Sequence, residues 1–166
     1  MIVNIALLTV TDTRTIDNDK SGAILVEKIK EANHNLIDRK ICKDNKKDIV
    51  LILKEWLKNE KIDVIITTGG TGLTGRDITP EALDEIAEKY IPGFGEIFRN
   101  ISLKTVGTSA IQSRACAILS NGKYVFALPG SSGGVTDAWE GILKHQLDVN
   151  HKPCNFVELF PRLKEK

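Results

Sequence analysis

The chain has 166 residues, of which 42% are hydrophobic and 27% charged, with 13 glycines and 5 prolines. That is one ordinary domain spanning 1–166, which excludes a multidomain enzyme, a disordered chain and a fibrous one. Lys and Arg number 23 against 22 Asp and Glu, a net charge of +1, so no polyelectrolyte field points to nucleic acid or a lipid surface, and the expected partner is a small molecule or a protein.

Taken in chain order, Ile2 to Val10 is an apolar, β-branched run without strict alternation, as expected of a strand covered on both faces. It has no basic leader and is interrupted by Asn4 and Thr9, so a first buried strand is expected and not a targeting or membrane segment. Ile24, Leu25, Ile29 and Ala32 then fall at helical spacing, with Asn33 as the stop. Leu36 to Ile41 is a weaker strand. After Asp44-Asn45, the series Ile49, Ile52, Leu53, Trp56, Leu57 marks an amphipathic helix. Ile62 to Thr68 is a central strand running into the glycine cluster Gly69 to Gly75.

Thr79-Pro80 reads as an N-cap with proline at the first helical position, opening a helix through Leu83, Ile86, Ala87 and Tyr90. A further helix carries Phe94, Ile97, Phe98 and Ile101. Ala115 to Leu119 and Lys123 to Leu128 flank Asn121-Gly122, the strongest short hairpin signal in the chain. Pro129 to Gly134 leads into a last helix with Val135, Ala138, Trp139, Ile142 and Leu143, followed by a loosely patterned tail. The alternation of strand and helix predicts an α/β fold, a three-layer α/β/α sandwich whose sheet is mostly parallel with one antiparallel hairpin.

Ligands of such sheets bind beyond the carboxyl ends of the strands. Those ends carry Asp12, Asp44, the glycine loop with Arg76 and Asp77, and the loop from Pro129 to Ser132. Gly70 to Gly75 matches Gly-x-Gly-x-x-Gly in form, which raises a nicotinamide-dependent dehydrogenase as an outside alternative. The match lacks its context: the helix starts beyond the motif, and no acid ends the next strand about twenty residues on. Arg76-Asp77 likewise stands where a Walker loop needs Lys and a hydroxyl. A run of small residues can still bring backbone N–H groups close to an anion, although such turns are more often plain geometry. Asp44 reads either as a carboxylate for magnesium near phosphates or as the cap of the Trp56 helix. Arg114 reads evenly as a phosphate clamp or a structural ion pair.

His34, His145 and His151 share no ligand spacing and are expected at the surface. Cys42, Cys116 and Cys154 form no Cys-x-x-Cys pair, which suits a reduced, cytoplasmic protein. Trp56 and Trp139 lie on apolar stripes and are expected in the core, and the core is the default place for Phe94, Phe98, Phe156, Leu159 and Phe160.

Taken together, LLTVTDTR at Leu7 to Arg14, DKSG at Asp19 to Gly22, TTGGTGLTGRDITPEAL at Thr67 to Leu83, PGFGEIFRNIS at Pro92 to Ser102, GTSAIQSRA at Gly107 to Ala115 and LPGSSGGV at Leu128 to Val135 resemble the MoaB/MogA family of molybdenum cofactor biosynthesis proteins. The tail His151 to Phe156 is similar to the MoaB branch. The resemblance implies a molybdopterin-binding fold, a homotrimer or homohexamer, and possible contact with other proteins of the pathway. It also implies transfer of AMP from ATP, with Mg2+, to molybdopterin as substrate, releasing pyrophosphate. Asp44 and Asp77 match the family's two essential acids, with Asp44 assigned to the metal and the nucleotide phosphates. Asp12, Gly69, Gly70, Thr71, Gly72, Ser102, Ser113, Arg114, Pro129, Gly130 and Ser131 are the implied substrate-binding residues. The alternative within the family is a MoaB homologue that binds molybdopterin without turnover.

Overall fold

In the computed structural model, which describes residues 1–165, the apolar runs assemble into one six-stranded sheet. Lys166, the last residue of the expected domain, lies outside the described residues. The strands are β1 (Asn4–Val10), β2 (Asn35–Cys42), β3 (Val64–Thr68), β4 (Lys89–Tyr90), β5 (Cys116–Ser120) and β6 (Lys123–Leu128), in the spatial order β2-β1-β3-β6-β5-β4. β2, β1, β3 and β6 run parallel, and β5 is antiparallel to both of its neighbours. Asn121 and Gly122 both have positive φ, the conformation that the two-residue hairpin between β5 and β6 requires.

Alternate residues of each strand feed two cores, because side chains in a strand point to opposite faces. Ile5 and Leu7 of β1 face α1 (Lys20–Glu31), α4 (Pro92–Val106) and α5 (Ser132–Ala138), where Phe98 and Trp139 are fully buried. Ala6, Leu8 and Val10 face α2 (Lys46–Lys58) and α3 (Thr79–Asp84), where Trp56 is buried and donates from its Nε1 to Asp38 Oδ2 at 2.9 Å. This is the expected three-layer sandwich. Phe156 and Phe160 of the tail pack on Tyr124, with ring centroids 4.6 and 5.6 Å away, whereas Leu159 is exposed and not in the core.

Three local readings are corrected. The helix opened at Thr79 stops at Asp84, because the free edge of β5 competes for the chain. The N–H of Glu88 donates to Leu119 O and that of Ile91 to Ala117 O, so Tyr90 lies on an edge strand, exposed, despite its helical spacing. Thr79 is not the N-cap; that position is Ile78, and the Thr79 hydroxyl donates instead to Gly69 O at 2.8 Å. Nor does Asp44 cap α2. Asn45 does, its Oδ1 accepting from the N–H groups of Lys47 (2.9 Å) and Asp48 (3.3 Å).

A side-chain cap contributes about 1 kcal/mol, so Asn45→Ala should lower the unfolding free energy in urea by about that much. Asp44→Asn should lower it not at all.

Candidate functional site

The parallel strands end level with one another. Thr9 of β1 pairs with Thr68 of β3, Thr68 with Leu128 of β6, and Val10 with Cys42 of β2. The chain winds outward in opposite directions from the junction of β1 and β3, and above that reversal opens a cleft of about 870 Å3. Asp12, Asp44, Gly69, Gly70, Thr71, Gly72, Asp77, Ser102, Ser113, Pro129, Gly130 and Ser131 all line it. Arg114 alone among the expected site residues does not.

The glycines of the loop are there for space. A Cβ at Gly69, whose φ is +101°, would stand 2.2 Å from Val10 O. At Gly70 (φ +69°) it would stand 2.4 Å from the Thr79 hydroxyl and 3.4 Å from Asp44 Oδ1. Only glycine lets the backbone pass this close to β1 and to the carboxylate. The Thr68 hydroxyl donates to Pro129 O at 2.8 Å, coupling the glycine loop to the loop after β6.

Arg114 explains the shape of the rest. Its Nε donates to Gly72 O (2.7 Å), one terminal nitrogen donates to Asp77 O (2.6 Å), and the other pairs with Glu81. Arg114 is thus a brace behind the loop and not a clamp inside the cleft, and its guanidinium holds the Glu81 carboxyl below the usual range.

The acids of the cleft differ. Burial raises the pKa of Asp44, the charges of Asp12 and Asp77 raise it further, and the Asp12 backbone and distant Arg76 only partly offset this. Arg76 makes its ion pair with Asp12, at 3.2 Å, and not with Asp44. For Asp77 the effect of burial is overcome by the Thr74 hydroxyl and N–H, which donate to Oδ2 at 2.7 and 2.9 Å, so its pKa falls. Asp44 is therefore the uncompensated charge, and Asp77 is tied into its own loop.

Residues that the sequence reading did not single out also shape the site. Asp19 lies buried beneath the loop after β1, where it accepts from Thr9 Oγ1 (2.6 Å), the Gly22 N–H (2.9 Å) and Arg39 (3.0 Å). Phe98, expected in the core, also lines the far arm of the cleft, together with Thr105, Val106, Ser109, Gln112 and Asp137. Ser109 and Gln112 carried no signal in the sequence because Gly107–Gln112 is a 3-10 turn without periodicity.

His34 is half-buried and its Nδ1 accepts from the Val3 N–H at 3.3 Å. His145 and His151 stack with centroids 5.3 Å apart, away from the cleft. Among the described residues no group of three or more His, Cys, Asp or Glu side chains could hold a metal alone. Burial first, then nearby acids, pushes the Cys42 thiol up to about 12 and Cys116 to about 11, which makes both poor nucleophiles. The Gly-x-Gly-x-x-Gly match stays in the loop, with the helix beginning only at Thr79. Among the described residues no helix is long and apolar enough to cross a membrane.

The family model described as "Probable molybdopterin binding domain" matches residues 6–149. Molybdenum cofactor biosynthesis protein B of Escherichia coli (strain K12) is 42% identical over 161 residues, covering 97% of this chain and 93% of that protein. A crystal structure of a molybdenum cofactor biosynthesis protein B superposes with a TM-score of 0.90 at 38% identity, covering 100% of this chain and 98% of that one. The tungsten cofactor synthesizing protein MoaB from Pyrococcus furiosus gives a TM-score of 0.77 at 34% identity, over 87% of this chain and 92% of that one. The chain belongs to this molybdopterin-binding-domain family, the MoaB/MogA proteins of molybdenum cofactor biosynthesis.

The two acids predict stability changes of opposite sign. The folded pKa of Asp44 is raised, so its charge destabilises the fold once the pH passes the ordinary carboxylate value, and Asp44→Asn should stabilise near neutral pH and do nothing in acid. The folded pKa of Asp77 is lowered, so its contribution is present above the ordinary value and is lost as the pH falls through the depressed one. Asp77→Asn should therefore destabilise near neutral pH, with the loss fading in acid. Thermal unfolding of both variants from acid to neutral pH checks the pair. Arg114→Lys, which leaves at least one of the carbonyls of Gly72 and Asp77 without its donor, should cost about 2 kcal/mol in urea unfolding and expose the loop to proteolysis.

Proposed function

We propose that the chain acts in molybdenum cofactor biosynthesis as a molybdopterin adenylyltransferase. An oxygen of the molybdopterin phosphate attacks the α-phosphorus of ATP, the new P–O bond forms as the bond to the β-phosphate oxygen breaks, and pyrophosphate leaves. The observation that carries this reading is the uncompensated Asp44 carboxylate beside the side-chain-free face of Gly70, in a cleft walled by small residues.

Such a transfer asks the protein mainly to position two anionic groups and spread their charge. Magnesium keeps several waters and takes one or two carboxylates plus phosphate oxygens, so a site with few protein ligands fits the donor set. Asp44 is the residue that would hold it, its elevated pKa reflecting burial first and then the negative charges of Asp12 and Asp77, both of which a cation would offset. Gly69 to Gly72 let the phosphates approach the backbone, while Ser102, Ser113 and Ser131 offer hydroxyls along the walls. Arg114 and the Thr79 hydroxyl keep the loop in shape from behind. Thr74 holds Asp77 through Oδ2, which leaves Oδ1 to orient the reacting phosphate or the pterin side chain. A homotrimer or homohexamer belongs to the same reading, supported by the exposed Ile97, Leu103, Val106 and Ile111 on α4 and the turn after it.

One observation favours the second reading, a binder without turnover: Oδ2 of Asp77 is already saturated by Thr74. Pyrophosphate release from ATP with magnesium and molybdopterin separates the two readings. Asp44→Asn should abolish release with the fold intact, lowering the rate at least 100-fold. Tight molybdopterin binding with no pyrophosphate from the wild type would establish the binder instead.

A further inference from the structure

The cleft is longer than its phosphate-cradling end, and the far arm has its own chemistry. Its wall is apolar where Phe98 (1% exposed) and Ala110 (5%) come through, with Val106 half-exposed at the rim. Set into this wall is one carboxylate, Asp137 on α5. The Thr105 hydroxyl of α4 donates to Asp137 Oδ2 at 2.8 Å, which fixes the carboxylate across the two helices. Its helix is anchored by the buried Val135, Ala138 and Trp139. Among the described residues no Lys, Arg or His makes an ion pair with Asp137. Its Oδ1 is left as an acceptor facing a cleft. Asp137 lies six residues beyond Ser131, and at the helical rise of about 1.5 Å per residue that is roughly 9 Å from the glycine end.

A carboxylate there repels phosphate, so this arm must receive a group that donates hydrogen bonds. We infer that the arm takes the heterocycle of the ligand, and that Asp137 selects a 2-amino-4-oxopyrimidine ring, as in a pterin or a guanine, over an adenine. The edge of that ring carries two parallel N–H donors, the exocyclic amine and the ring N3–H, which match an acceptor-only carboxylate. Adenine presents one donor beside one ring-nitrogen acceptor, and the acceptor would be set against the carboxylate unpaired. Asp137 is half-buried, and a ring seated on it would exclude water, so a site matched to a donor pair rejects an edge that leaves an acceptor set against the carboxylate. The inference deepens the reading of the cleft as a molybdopterin site by assigning its ring-binding end, and it rests on that reading.

Binding of 6-hydroxymethylpterin, followed by its own fluorescence in the absence of ATP, tests the assignment without depending on turnover. Asp137→Asn keeps an oxygen for the Thr105 hydroxyl, so its unfolding midpoint should equal that of the wild type. Its affinity for the pterin should fall at least tenfold, guanosine monophosphate should lose in parallel, and adenosine monophosphate should lose nothing and gain affinity, because the Asn amide gives its ring nitrogen a donor. The 2-oxo analogue of the same ring, which sets a carbonyl where the amino donor was, should bind the wild type weakly and show no loss in the variant. Unchanged pterin affinity in Asp137→Asn overturns the inference, as does an equal loss for adenosine monophosphate or a wild type that binds no pterin. A wild type that shows the Asp137-dependent pterin binding but releases no pyrophosphate leaves the inference standing and removes only the enzymatic reading.

Discussion

The site depends on one close approach. Where β3 leaves the sheet, the backbone at Gly69 passes so near the end of β1 that a Cβ would collide with the carbonyl of Val10 at 2.2 Å. No L side chain fits, and the positive φ of Gly69 and Gly70 is a second, independent demand for glycine. From that contact the loop turns back over the sheet edge, and its polar backbone must find partners or water. The partners come from three directions: the Thr79 hydroxyl on Gly69 O, the Arg114 fork on Gly72 O and Asp77 O, and the Leu128 carbonyl, which accepts from the Gly69 N–H at 3.0 Å. The loop is therefore held by α3, by the segment leading into β5 and by β6, and its cleft-facing surface is left to a ligand.

That arrangement separates binding from bracing. Arg114 is spent on carbonyls and on Glu81, and the one basic side chain that lines the cavity among the described residues, Arg76, is paired with Asp12. Four acids line the cavity, and the charges of Asp12 and Asp77 raise the pKa of Asp44. A protein that receives phosphate groups in such a place needs a cation to come with them, which is how Mg-nucleotides bind. The contrast between Asp44 and Asp77 comes from hydrogen bonding together with charged neighbours, since Asp12 and Asp77 raise Asp44 and Arg114 lowers Asp77. Both suffer burial, but only Asp77 has the Thr74 hydroxyl and amide to compensate it.

Family membership and the chemistry of the cleft share residues. The relatives' likeness extends over nearly the whole chain, and the motifs that carry the resemblance include the glycine loop and the loop from Pro129 to Gly134, which line the cleft. The sandwich beneath holds two cores, split by the alternation of each strand, with Trp56 in one and Trp139 in the other. The cleft uses what projects past the strand ends. Its glycine-loop end is walled by backbone and small residues beside Asp12, Asp44 and Asp77, whereas the far arm is built from side chains of α4, the following turn and α5, where Asp137 is the one charged group.

Most of the fold was legible because its signals are local. β-branched runs, the α2 stripe, Asn121-Gly122 and Pro80 each dictate their own backbone conformation, and five of the six strands stand within two residues of where the pattern puts them. The cleft glycines and acids were legible too, since the carboxyl ends of parallel strands are a fixed address once the strands are known. Other features were decided only in three dimensions. β4 exists because β5 offers an unpaired edge, a partner some thirty residues distant that outweighs the helical spacing ending at Tyr90. Arg114 became a brace because folding brings Gly72 O and Asp77 O to its fork, and no spacing in the chain encodes which carbonyls it meets. Asp19, Thr105 and Asp137 owe their roles to contacts between separate elements. The sequence by itself determined where the chain turns, which faces are apolar and where glycine is obligatory; tertiary packing alone decided which polar groups find partners, and so which are left for a ligand.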